Sequence, residues 1–112
     1  QSMGKFKIGQ VVTSKFPFSD LSAEKIRPAL VVAIVDFEDV ILCQITSKKY
    51  SSSNPISLLP TDFKIGNLPS DSFIRPDKLF TTNQTMISTI YGELNDTKTN
   101  EVFKSIKAIF KG

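Results

Sequence analysis

Arg27 stands directly before Pro28 and the apolar run Ala29-Leu30-Val31-Val32-Ala33-Ile34-Val35, and a second run, Val40 to Ile45, ends in Thr46-Ser47. A cation and two hydroxyls at the ends of strand-like segments form a layout suited to holding phosphate. Arg75 also precedes a proline, Pro76. A residue before proline is pushed out of the helical region into extended backbone. Both guanidinium groups therefore stand on extended segments, placed to fork around phosphate oxygens. Taken singly, each arginine is better explained as half of a surface ion pair. Alternation along a strand puts Gln44 and Thr46 on one face and Cys43 and Ile45 on the other, and sends Arg75 and Asp77 to one side. The second pairing sets a cation beside a carboxylate that could act as a base. Lys48, Lys49 and Tyr50 follow at once. Basic and aromatic side chains together suit single-stranded RNA, whose bases stack on rings while lysines neutralise phosphates; a solvated loop accounts for them equally well.

Other chemistries are excluded by composition. With no histidine and one cysteine, the chain lacks the usual zinc ligand sets and every Ser-His or Cys-His nucleophile scheme. Cys43 lies among Ile41, Leu42 and Ile45 and reads as a buried free thiol. Catalysis must then rest on Arg, Lys, carboxylates, Tyr and hydroxyls, with no metal and no cofactor expected. A formal charge of +3 leans towards an anionic partner, though weakly.

At 112 residues the chain is expected to form one domain around one modest core. No apolar run exceeds the seven residues Ala29 to Val35, so no membrane span is expected. Gln1-Ser2 before Met3 reads as a scar ahead of a native start, with no signal peptide behind it, which places the protein in the cytoplasm. Gly9 leads into a strand from Val11 to Phe16, stopped by Pro17 and a polar loop from Ser19 to Lys25. Pro28 is expected to open the next strand, where its missing N–H does least harm. Asp36-Phe37-Glu38-Asp39 then turns the chain into Val40 to Thr46, a hairpin buried on both faces. Lys48 to Asn54 reads as loop, Pro55 to Leu59 as a short strand and Thr61 to Asp71 as turns. Two further extended segments are expected, Ser72 to Thr82 and Met86 to Leu94, with Pro76 demoting the first to an edge or a bulge. The period then changes. Val102, Phe103, Ile106, Ile109 and Phe110 recur at helical spacing, with Asp96 or Thr97 as the N-cap. A mainly β (α+β) fold follows, a small barrel or strongly bent sheet closed by one helix.

Taken in order, these pieces resemble the MazF/PemK family of toxins from bacterial type II toxin–antitoxin systems. The resemblance is carried by Gly9-Gln10-Val11-Val12, Phe16-Pro17-Phe18-Ser19-Asp20, Arg27-Pro28-Ala29-Leu30-Val31-Val32, Gln44-Ile45-Thr46-Ser47 and Ser72-Phe73-Ile74-Arg75-Pro76-Asp77-Lys78, followed by a helix. It spans nearly all of Lys7 to Phe110. It implies a small SH3-like β-barrel of the CcdB/PemK-like kind with a C-terminal helix. It also implies a homodimer that cuts single-stranded RNA at short sequences without a metal. A cognate antitoxin would silence it through an acidic, disordered tail, and operator DNA would be reached only through that antitoxin. Carried over residue by residue, the catalytic positions fall on Arg27 and Thr46, and in other members on Arg75 and Asp77. Ser47 aligns with a groove residue. With Gln44, Lys48, Lys49, Tyr50, Glu24 and Phe73 it completes the expected substrate-binding set. One branch of the family uses a histidine in the first loop, which this chain lacks.

The implied reaction needs a base to take the ribose 2′-hydroxyl proton, whereupon that oxygen attacks the adjacent phosphorus and expels the 5′-oxygen. Asp77 is the expected base and Glu24 the alternative. An ordinary Asp, with a pKa of about 3.9, is ionised at neutral pH but weakly basic. Arg27 and Arg75 would stabilise the phosphorane and Thr46 and Ser47 would hydrogen-bond the phosphate. A barrel of this kind that binds nucleic acid or inhibits another protein such as gyrase without cleaving anything is the alternative function.

Overall fold

Three neighbouring strands carry apolar residues on both faces, and the rest of the architecture follows from the need to cover both sides. The computed structural model describes residues 5–16, 25–48 and 55–111. The strands are β1 (Gln10–Phe16), β2 (Lys25–Val35), β3 (Asp39–Thr46), β4 (Ile56–Leu58), β5 (Phe63–Gly66), β6 (Ser72–Asn83) and β7 (Ile87–Leu94), and one helix, α1 (Asp96–Ile109), follows. They form a seven-stranded antiparallel sheet in the order β4-β6-β3-β2-β1-β7-β5.

Alternation sorts the central side chains into two clusters. Val11, Leu30, Val32, Cys43 and Ile45 face one, with Ile56, Leu58, Leu68, Ile74, Leu94 and the helical Val102. Val12, Ala29, Val31, Val40 and Leu42 face the other, with Phe6 and Phe16. The sheet is strongly curled, with nearly equal extents of 35 × 34 × 34 Å. The expected mainly β barrel with a closing helix is the fold observed, and the β2–β3 hairpin is buried on both faces as expected.

Several local readings are corrected. Pro28 does not open β2: the strand begins at Lys25, and Pro28 sits inside it opposite Thr13. Pro76 does sit in a bulge, as expected, beyond the three residues Ser72 to Ile74 that pair with β4. Residues 63–66, taken as turn, form the short edge strand β5 beside β7. The N-cap is Asn95, whose side-chain oxygen accepts from the Lys98 N–H at 2.8 Å. Asp96 instead occupies the first turn, where a carboxylate favours the helix dipole. Val102, Phe103 and Ile106 pack on the first cluster as expected, whereas Ile109 and Phe110 are exposed, so the last turn lies outside the core. No described helix is long and apolar enough to cross a membrane.

Candidate functional site

The bulge in β6 creates the site. Between the pairs Cys43↔Leu79 and Ile45↔Ile74, β3 contributes only Gln44 while β6 contributes Arg75, Pro76, Asp77 and Lys78. Proline cannot donate to a ladder, so the segment leaves the sheet there. The Cys43 thiol donates to the Arg75 carbonyl oxygen at 2.9 Å and pins the base of the bulge. Burial pushes that thiol up to about 12, with the Asp77 charge adding to the effect, so it stays protonated and unreactive.

Arg75 and Asp77 do project to one side. Arg75 Nε donates to Asp77 Oδ1 at 3.2 Å and Nη2 to Oδ2 at 2.8 Å, a fork-on-carboxylate pair. Hydrogen bonds from Arg75 hold the Asp77 carboxyl below its ordinary value, more strongly than its partial burial raises it. The pair sharpens the geometry of the guanidinium and at the same time weakens Asp77 as a base.

On the far side of Gln44 lies β2. Ala29, buried in the second cluster, pairs with Gln44. A cleft of about 370 Å³ opens here, lined by Phe16, Arg27, Gln44, Asp77, Lys78, Leu79 and Phe80. Phe16 and Phe80 form its aromatic wall, with ring centroids 4.5 Å apart at 55°. A second cleft, of about 450 Å³, is lined by Arg27, Thr46, Ser47 and Lys48, with Thr13, Ser70, Ser72 and Tyr91 among its other walls. Arg27 belongs to both. Its side chain makes no hydrogen bond or ion pair to another described residue, so among the described residues a half-buried cation stands unpaired at the junction. Thr46 Oγ1 accepts from the Lys48 N–H at 3.2 Å, a local turn that holds Ser47 and Lys48 at the mouth of the second cleft.

The structure thus gathers Arg27, Gln44 and Asp77 around one cleft and Arg27, Thr46, Ser47 and Lys48 around the next. Arg75 reaches the site through Asp77. Phe73 is a neighbour of Thr46 across the β3–β6 ladder but lines neither cleft. Glu24, Lys49 and Tyr50, together with Pro17-Phe18-Ser19-Asp20, lie outside the described residues. Sequence reasoning missed Phe16 and Phe80 as site residues, as well as Lys78 and Tyr91. Phe16 and Phe80 read as ordinary strand residues, and only the sheet order brings them together.

Comparison with known proteins gives a consistent picture. Residues 7–110 match the family described as PemK-like, MazF-like toxin of type II toxin–antitoxin systems. No curated protein sequence matches the chain. Among solved structures, the fold is similar to that of MazF from Deinococcus radiodurans, at 16% identity and a TM-score of 0.74 over 96% of this chain and 97% of that one. It is also similar to an endoribonuclease in complex with its cognate antitoxin from a mycobacterial species, at 18% identity and a TM-score of 0.70 over 92% of each chain. A third similar structure is the Mycobacterium tuberculosis toxin MazF-mt6, at 14% identity and a TM-score of 0.71 over 91% of this chain and 96% of that one.

Proposed function

Because the chain belongs to the PemK-like, MazF-like family of toxins of type II toxin–antitoxin systems, we propose that it is an endoribonuclease that cuts single-stranded RNA without a metal ion. The observation that carries this reading is Arg27, a cation with no side-chain partner among the described residues, shared by two adjoining clefts whose walls also hold Thr46, Ser47, Gln44 and Asp77. A phosphodiester seated on Arg27 has one nucleotide for each cleft.

In this mechanism the 2′-hydroxyl loses its proton to a carboxylate and its oxygen attacks the adjacent phosphorus. The P–O5′ bond breaks and the departing 5′-oxygen takes a proton from water, giving a 2′,3′-cyclic phosphate and a 5′-hydroxyl. Arg27 stabilises the charge developing on the phosphorane, and Arg75, aimed by Asp77, stabilises it from the other side. Thr46 and Ser47 supply hydrogen bonds to the same phosphate. The guanidinium groups act as fixed charges, since a guanidinium holds its proton too tightly to serve as an acid. Asp77 serves as the base when a phosphate oxygen takes its place on the Arg75 fork, which lifts the restraint on its pKa. Glu24 is the alternative proton acceptor.

The partners proposed with this activity are a second copy of the chain and a cognate antitoxin, whose acidic disordered tail covers the basic groove; operator DNA is reached only through that antitoxin. One observation favours a non-catalytic binding module instead: in the resting site both oxygens of Asp77 are engaged by Arg75. Incubating the protein with a long single-stranded RNA in EDTA separates the two readings. Discrete cuts with 5′-hydroxyl and cyclic phosphate ends, absent with Arg27→Ala, are expected; intact RNA at every sequence tried would leave only the binding module.

A further inference from the structure

We infer that the cleft between Phe16, Phe80 and the β6 bulge is a nucleobase pocket in which Gln44 reads one unpaired base of the RNA. This rests on the proposed RNA reading and goes beyond it, by separating the group that selects sequence from the groups that act on phosphate.

Three features of the cleft distinguish it from a second phosphate site. Its wall is the half-buried Phe80, backed by the buried Phe16, an apolar π surface that offers nothing to a phosphate but contact to a base. Its volume of about 370 Å³ lies at the small end of ligand clefts, roughly 300–1,000 Å³, which suits one flat ring system better than a length of chain. Its polar floor is Gln44, whose side chain makes no hydrogen bond to another described residue. A primary amide offers a donor beside an acceptor, the pattern that pairs with a base edge and is wasted on an acceptor-only phosphate.

The bulge explains why Gln44 is available. One β3 residue opposes four on β6, so the strand that would otherwise cover Gln44 has stepped aside. On the other flank its partner is Ala29, which lies in the core and does not line the cleft. Arg27 then fixes the register of the substrate. A phosphate on Arg27 places its attached nucleoside in the Gln44 cleft and the neighbouring one in the cleft of Thr46 and Ser47. Lys78, at the rim, is placed to meet a remaining base acceptor.

The test maps cut sites in a randomised RNA pool for the wild-type protein, Gln44→Glu and Gln44→Met, with each variant's thermal midpoint confirming its fold. Gln44→Glu replaces donor-plus-acceptor by acceptors alone and should change the preferred base at one position next to the cut. Gln44→Met keeps the length and should flatten that position, losing about tenfold discrimination, the scale of one bidentate base contact. Identical preferences in all three proteins would overturn the base pocket and leave the nuclease reading standing. Should the wild type cut nothing, titration with the four nucleoside 5′-monophosphates, followed by amide NMR, decides the matter independently. Shifts at Gln44, Lys78 and Phe80 that inorganic phosphate does not reproduce would sustain the pocket; shifts confined to Arg27, or none, would overturn it.

Discussion

Arg27 and Arg75 look alike in sequence, each before a proline, yet they stand in opposite electrostatic states. Arg75 is committed to Asp77 through two hydrogen bonds, whereas Arg27 has no such partner among the described residues. Arg27→Ala should therefore cost activity with little change in fold: we expect about a 10²–10³-fold fall in kcat, the loss typical of one well-placed electrostatic donor, with an unchanged thermal midpoint. Asp77 carries a pH prediction. Its folded pKa lies below the ordinary value, so the stability it contributes is present above that ordinary value and is lost as pH falls through the lower folded one. Side-chain exposure of 48% keeps that contribution small. The rate should follow the same sign: if Asp77 is the base in a substrate-free site held this way, kcat/KM shows no acid limb above pH of about 4. A limb at higher pH that persists in Asp77→Asn assigns the proton to another group, with Glu24→Gln as the next variant.

At the scale of elements, the β2–β3 turn departs furthest from local preference. Phe37 and Glu38 both have φ of +64°, the pattern of a type I′ hairpin turn that favours Asn and Gly. The neighbouring β6 end holds it in place: Asn83 Nδ2 donates to the Phe37 carbonyl at 3.3 Å and to Asp39 Oδ1 at 3.1 Å, and the Gln84 N–H donates to the Glu38 carbonyl at 2.9 Å. Phe37 is 90% exposed, so replacing it removes strain without removing packing. Phe37→Asn should stabilise the protein by about 0.5–1 kcal/mol, read as a higher urea midpoint at constant m-value. The turn was legible as a turn from Asp36 to Asp39, but its left-handed geometry was not, because the residues give no Gly or Asn signal. The strands with long apolar runs were legible for the same reason that they are buried. β5 was not, since Phe-Lys-Ile-Gly is short and its strand character comes from pairing with β7. The candidate site was legible where it is local, as in Arg75-Pro76-Asp77, and as far as each strand end could be recognised alone. The joining of Arg27, Gln44 and Phe80 in one cleft depends on the β6-β3-β2-β1 order, which no local pattern encodes.

Across the whole molecule the charge is +3, too small to bind polyanions indiscriminately, so affinity should depend on a few placed cations. Arg27, Lys48 and Lys78 all line the two clefts. Binding of an RNA blocked at the cut by a 2′-deoxy sugar should weaken with salt at about 0.7 log units per log unit for each phosphate contacted. Arg27→Ala should make that slope shallower by about 0.7. An unchanged slope, measured by fluorescence anisotropy, would remove Arg27 from phosphate contact. The sheet order also fixes when the molecule can fold. β1 is the first strand to be made, yet one of its two neighbours, β7, is the last, and the cluster around Val11 is completed by Leu94 and Val102. At ribosomal speeds of roughly 5–20 residues per second, that interior stays open until almost the entire chain has been synthesised. The first cluster therefore closes only after β7 and α1 have joined strands made long before them, and a chain stopped ahead of Val102 leaves Val11 and Leu30 without the helix that covers them.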